Sequence, residues 1–274
     1  MAGATAIEPD AAPRATGGAS IVGRNVGKQF AAKGGTFTAL DDVSFEIRGG
    51  EFVSLIGPSG CGKSTLMLIT AGLIPASSGQ LVVGGEVLTR PLTDVGIVFQ
   101  DHLLLEFRSA LANVLLQAQI RGLPLPAARD EAASILGKLG IPEPARERYP
   151  RQLSGGMRQR VSIARALIHQ PSILLMDEPF GALDAITRTQ IRHDLELLWM
   201  ETRKTVLFIT HSIEEAIGLS DRVLVMSPHP GRIVDEIAID LPRPRPAVLG
   251  EDASFNAYAE RIHAAFLRMG VIKY

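Results

Sequence analysis

"GPSGCGKST", Gly57 to Thr65, decides how the rest of the chain is read. It follows the apolar run "VSLI" and precedes "LMLITAGLI", so a glycine-rich turn joins a strand to a helix. Its first eight residues fit G-x-x-x-x-G-K-[ST], and that strand–turn–helix context separates a working phosphate loop from a chance match. Gly57, Pro58, Ser59, Gly60, Cys61 and Gly62 curl so that successive N–H groups point inward at phosphate oxygens. The following helix adds the positive end of its dipole. Lys63 is expected to place its charge on the β- and γ-phosphates, Ser64 to ligate Mg²⁺, and Thr65 to support the α-phosphate. Cys61 is expected to serve through its backbone amide.

Strands and helices alternate on either side of this loop. Upstream, "IVGRNVGKQF" and "VSFEIRGGEFVSLIG" read as strand-like runs; downstream, "GQLVVGGEVL" reads as a hairpin through Gly84 and Gly85. "DVGIVFQ" is a further buried strand. From Ser109 to about Ala166 the periodicity turns helical, in "SALANVLLQAQIRG", "AARDEAASILGKLG" and the run after Gly156. Alternation then resumes: a strand at Ile173 to Met176, a helix from about Ala185 to Arg203, "TVLFIT", "SIEEAIGLS", "RVLVMS" and "RIVDEIAI". That order implies an α/β fold with a largely parallel sheet covered on both faces, into which a helical subdomain is inserted.

"ILLMDEP" places Asp177 and Glu178 at the carboxyl end of an apolar strand, the edge that faces the ligand crevice in open α/β sheets. Adjacent carboxylates there repel unless a cation or proton intervenes. Asp177 is therefore expected to hold Mg²⁺ and Glu178 to polarise the attacking water. Gln100 closes "GIVFQ" and His211 follows "TVLFIT", which brings both to the same edge. An amide can reach Mg²⁺ or the water, and an imidazole can donate to a γ-phosphate oxygen.

The bulk numbers suit this reading. The 274 residues carry 28 basic and 29 acidic side chains, a net charge of −1 that gives no support for nucleic-acid binding. One cysteine excludes an intramolecular disulfide framework and a multi-cysteine zinc site. No uninterrupted apolar run reaches ~18 residues, so no transmembrane helix is expected. Residues 1–20, rich in Ala, Gly, Pro and Thr, lack the features of a secretory signal and read as a disordered tail. Beyond "LPRPRP", residues 241–274 form a proline-rich linker and a helix whose Phe255, Tyr258, Ile262, Phe266 and Met269 share one apolar face. That face is expected to pack on the domain.

Taken in order, "GPSGCGKST", Gln100, "LSGGM", "ILLMDEP", "GALD" and His211 resemble the motifs of the ATP-binding cassette (ABC) family of transport ATPases. The resemblance implies a P-loop NTPase core over about residues 21–240, with an antiparallel β subdomain and a helical subdomain at about 101–165. It also implies a head-to-tail homodimer with ATP sandwiched between the phosphate loop of one chain and the LSGG segment of the other. Ser154, Gly155 and Gly156 would then open a helix whose free N–H groups meet phosphate from the opposite side. Asp184, in "GALD", would stand at the dimer face. Phe30 is the candidate to stack on adenine, with Phe37 a rival. Met157 stands where the family commonly has Gln.

A single cassette without membrane helices resembles the ATPase subunit of a bacterial importer, held at the cytoplasmic face of the inner membrane by permease subunits and served by an extracytoplasmic binding protein. The wording around "LSGGM" and "GALD" is similar to the nitrate, sulfonate and taurine importer group. That group often has Pro-Trp where this chain has Glu106-Phe107, in the segment from Asp101 to Asn113 expected to touch the permease. The competing readings are a cassette ATPase acting on nucleic acid or ribosomes and a P-loop small-molecule kinase. Balanced charge argues against the first; the second leaves "LSGG" and His211 without roles.

Overall fold

The computed structural model describes residues 18–32, 35–246 and 253–272. Most of the expected disordered tail lies outside these residues, as do residues 247–252 and 273–274 of the C-terminal segment. The antiparallel part begins with β1 (Ile21–Ala32) and β2 (Gly35–Ile47), followed later by β4 (Ser78–Val83) and β5 (Glu86–Val87), in the order β2-β1-β4-β5. The main sheet holds β3 (Phe52–Ile56), β6 (Val95–Val98), β7 (Ile173–Asp177), β8 (Thr205–Thr210), β9 (Arg222–Met226) and β10 (Ile233–Ala238). Their order is β10-β9-β3-β8-β7-β6, parallel throughout except for the antiparallel β10 edge.

One strand assignment from sequence is corrected. "VSFEIRGGEFVSLIG" is not a single run: it divides between β2 and β3, which belong to different sheets. The break is a turn in which Glu51 N–H donates to Arg48 O at 3.1 Å and the Glu51 carboxylate accepts from Arg48 N–H at 2.9 Å. Apolar residues on both sides of that turn hide it from a periodicity argument.

Strands β3 and β8 are buried along their whole length, as expected of central strands covered on both faces. Period-two alternation divides their side chains between cores. Phe52, Leu174, Met176, Val206 and Phe208 join a core with the helices, while Val53, Leu55, Ile173, Leu175, Leu207 and Ile209 join one beneath the antiparallel sheet. Each such side chain contributes roughly 1.5–3 kcal/mol of burial. The second core includes Leu66, Met67 and Ile69 of α1 (Lys63–Thr70), so the helix after the phosphate loop is held from below.

The helical segment comprises α2 (Ala110–Ile120), α3 (Leu125–Lys138), the one-turn α4 (Glu143–Arg146), a 3-10 turn at Pro150–Gln152 and α5 (Gly155–Leu167). Helices α6 (Ala185–Thr202) and α7 (Ile213–Leu219) follow β7 and β8. The last helix, α8 (Ala253–Arg268), buries Phe255, Ile262 and Phe266 against a third core with Ile217, Val223 and Val225, so its apolar face does pack on the domain.

Candidate functional site

The phosphate loop leaves β3 at Ile56 and enters α1 at Lys63. Gly62 caps that helix at φ +102°, and a Cβ there would stand 2.7 Å from Leu40 Cδ2, so β2 presses on the loop and only glycine fits. The Lys63 ammonium is buried and spans the loop, donating to Gly57 O at 2.9 Å and Pro58 O at 3.0 Å. Ser59, Gly60 and Ser64 face outward. Cys61 is turned inward, where burial pushes its thiol above the usual range, and its N–H donates to Pro58 O at 3.4 Å.

Three strands parallel to β3 bring the remaining candidates to the loop's edge of the sheet. Asp177 ends β7, Glu178 follows it, and His211 follows β8; Gln100 lies two residues past the end of β6, one step further out than a strand-end position. Burial holds the Asp177 carboxyl above the ordinary range, opposed by the neighbouring Ser64 hydroxyl and aided by Glu178. Glu178 sits at φ +42°, an unfavourable backbone region for a side-chain-bearing residue, and its N–H is held by Ile209 O at 2.9 Å. Its carboxylate lies 3.0 Å from His211 Nδ1 and 4.0 Å from Lys63 Nζ. From where a Cβ on Gly181 would stand, Gln100 Nε2 is 3.9 Å away and Glu178 Oε2 4.0 Å, so both side chains end around Gly181.

The donor set has a definite preference. Ser64 and Asp177 offer hard oxygen atoms, and among the described residues no group of three or more His, Cys, Asp or Glu could hold a metal. Such a site fits Mg²⁺, which uses one or two protein oxygens and completes its shell with phosphate and water.

Ser154 caps α5, its hydroxyl accepting from Met157 N–H at 3.2 Å, and Ser154 and Gly155 are exposed. Gly156 differs from its neighbour. It is buried, and a Cβ there would meet Thr187 Cγ2 of α6 at 2.4 Å; at Gly155 the nearest atom would be Leu183 Cδ2 at 4.0 Å. The paired glycines thus have separate physical demands, one for helix packing and one for an open surface. Met157 packs against the helical core. Asp184 caps α6 by accepting from Thr187 N–H at 3.0 Å, a bond that holds its carboxyl below the usual range.

The aromatic candidates face one another across the β1–β2 hairpin as register partners. Phe37 is stacked on His229 with centroids 4.4 Å apart, whereas Phe30 has Lys28 Nζ at 5.0 Å from its ring. Past Gln100, Leu103 and Phe107 are 56% and 74% exposed. Their loop is held in place by groups that sequence reasoning missed: buried Asn113 bonds Leu105 N–H at 2.8 Å and three carbonyls, and Arg165 of α5 donates to Leu103 O at 2.6 Å and His102 O at 3.0 Å. Nothing in periodicity marks such residues: Asn113 bonds the loop just ahead of its own helix, and Arg165 a loop distant along the chain.

The pattern of the ABC transporter family matches residues 40–181. The taurine import ATP-binding protein TauB of Rhizobium johnstonii is 48% identical over 229 residues, 83% of this chain and 87% of that protein. The aliphatic sulfonates import ATP-binding protein SsuB of Bacillus cereus is 38% identical over 248 residues, 90% of this chain and 96% of its own. Among solved structures, the dimeric structure of a bacterial ABC transporter cassette superposes with a TM-score of 0.73 at 33% identity, over 81% of this chain and all of that one. A dimeric post-hydrolysis cassette bound to ADP and Pi gives 0.72 at 31% identity over the same shares.

Proposed function

The chain belongs to the ABC transporter family, and on that premise we propose that it is the ATP-hydrolysing subunit of a bacterial importer for a small nutrient of the taurine, sulfonate or nitrate kind. The observation that carries this reading is the convergence of Lys63, Asp177, Glu178, Gln100 and His211 on one sheet edge beside a phosphate loop. Lys63 neutralises the β- and γ-phosphates of ATP, and Ser64 and Asp177, with Gln100, hold Mg²⁺. That ion supplies charge neutralisation on the phosphate oxygens. Glu178 accepts the proton of the attacking water, and His211, 3.0 Å from it, orients the carboxylate and presents its imidazole to the γ-phosphate. The left-handed backbone at Glu178 aims the carboxylate out of the strand line.

The exposed N-terminus of α5 supports a two-chain site. Its serine and first glycine face solvent, and the helix is anchored to α2, α3, β6 and α6. A second copy, head to tail, brings that end to the opposite side of the triphosphate. Phe30 stacks on adenine through the ring face that Lys28 leaves open, with Phe37, stacked on His229, as its rival. The exposed Leu103 and Phe107, held up by Asn113 and Arg165, meet the permease at the cytoplasmic face of the membrane, and an extracytoplasmic binding protein completes the system. Among the described residues no helix is long and apolar enough to cross a membrane.

The test is recovery of the tagged full chain from detergent-solubilised membranes. Integral membrane proteins are expected to accompany it, and phosphate release in the recovered complex to rise with transported substrate. Recovery with ribosomes or nucleic acid, dissociated by salt, overturns the importer reading.

A further inference from the structure

His211 sits at the tip of a turn that is closed by its own hydrogen bonds. Ser212 N–H donates to Thr210 Oγ1 at 3.0 Å, the Thr210 hydroxyl donates to Glu215 Oε2, and Glu215 N–H donates to Ser212 Oγ at 3.3 Å. Glu215 is 5% exposed, and burial pushes its carboxyl up against the pull of Thr210 and Arg188. A carboxylate placed there without any partner would be strongly disfavoured. Its charged partner comes from another element: Arg188 of α6, whose Nε lies 3.6 Å from Glu215 Oε1.

Arg188 also reaches the other way. Its Nη2 donates to Leu183 O at 3.0 Å and its backbone N–H to Asp184 O at 2.9 Å, so the same side chain holds the "GALD" turn. The Nε has no hydrogen-bond partner, and 3.6 Å is too long for one. A shift of α6 toward α7 by under an ångström would convert this ion pair into a charge-assisted hydrogen bond. At their far ends the two helices are already fastened. Arg243 joins Glu196 of α6, at 2.9 Å, to Asp221 and the Leu219 carbonyl at the end of α7, while buried Arg245 bonds Glu196 through its N–H at 3.0 Å and the Ile217 carbonyl. Movement between α6 and α7 is thereby confined to the end that carries Asp184 and His211.

We propose that Arg188 and Glu215 are positioning residues that link the Asp184 turn to His211, so that seating that turn against a second chain holds the imidazole in the place beside Glu178 that it already takes in the single chain. The inference rests on the ATPase reading above. Neither residue touches the nucleotide; each acts through Thr210 and the turn backbone.

The experiment uses the purified full chain and the variants R188A, E215Q, T210V and R188A/E215Q. Phosphate release is expected to fall about 10- to 100-fold in kcat, the loss typical of a misplaced group, with KM and fluorescent-nucleotide affinity unchanged. The double variant is expected to match the worse single variant, because both act along one path. In histidine-labelled protein, the imidazole signal identified by its loss in H211Q is expected to shift in R188A, although Arg188 makes no contact with that ring. R188K, which keeps the charge, is expected to recover most of the rate. Wild-type kcat and an unmoved His211 signal in R188A and E215Q, while E178Q still abolishes hydrolysis, would overturn the link and leave the catalytic reading standing. Additive losses accompanied by weaker nucleotide binding would overturn it too, as the mark of general loosening. If the wild-type chain releases no phosphate, the ATPase reading fails first and the His211 signal alone decides the link.

Discussion

Replacing Gly156 by Ala tests how α5 and α6 are set against each other. The added Cβ would stand 2.4 Å from Thr187 Cγ2, about 1.1 Å short of the ~3.5 Å at which carbon atoms make contact. Thr187 cannot easily turn aside. It is β-branched, stiff in χ1 on a helix, and hydrogen-bonded to Asp184 through both backbone and side chain. Overpacking of this kind costs ~1–3 kcal/mol, against a helix-propensity gain of at most ~1 kcal/mol for Gly to Ala. The net loss of about 1–2 kcal/mol corresponds to a fall in Tm of roughly 2–6 °C for a chain of this size. Nucleotide-free thermal unfolding reads it directly. G155A serves as control, because its new methyl would find nothing nearer than Leu183 Cδ2 at 4.0 Å, and its Tm is expected to hold or rise slightly. T187S removes the clashing methyl and keeps the hydroxyl, so G156A/T187S is expected to recover most of the loss. A G156A protein that melts at or above wild type, or one that T187S fails to rescue, refutes the reasoning.

At the proposed two-chain site, S154R is expected to bind fluorescent nucleotide as wild type does while losing the ATP-dependent dimer in size-exclusion chromatography; a normal dimer would remove α5 from the site. Burial raises the Asp177 carboxyl, so its charge costs the folded chain stability above that raised value, and the cost disappears below the ordinary carboxylate range. D177N should therefore melt higher than wild type at pH 7 without nucleotide, converge with it in acid, and lose Mg²⁺-dependent stabilisation by ATP. A lower Tm at pH 7 would contradict the electrostatic account. For adenine, base–aromatic stacking of ~1–3 kcal/mol predicts that F30A weakens ATP binding ~5- to 150-fold while F37A changes it far less; the reverse order would transfer the role to Phe37.

How far the sequence could be read depended on how local each constraint was. The phosphate loop is legible because backbone curvature, lysine and hydroxyl are all demanded within Gly57 to Ser64. Asp177, Glu178 and His211 could be placed on one edge because parallel strands share a carboxyl end, and the register of β6, β7 and β8 brings them there. The division of residues 43–56 between two sheets was masked by the apolar character of both halves, Val43, Phe45, Ile47, Phe52, Val53 and Leu55 all being buried, although alternation in β2 gives way to an unbroken buried run in β3. The separate demands on Gly155 and Gly156 depend on where Thr187 lies, more than thirty residues away in the chain. Asn113, Arg165, Arg188 and Glu215 are ordinary helical polar residues in sequence. Asn113 matters through carbonyls just ahead of its own helix, and the other three through loop carbonyls and a buried turn that only the packed helices bring near.

The central claim is that Glu178, at the end of β7, serves as the base for water attack on ATP bound between two chains. Replacing it by Gln keeps the side chain's shape and removes its basicity. Single-turnover phosphate release from E178Q is expected to fall ~10²- to 10⁴-fold, the usual contribution of a general base, while an ATP-stabilised dimer accumulates. Phosphate release at the wild-type rate, with no dimer formed on ATP, would contradict the account.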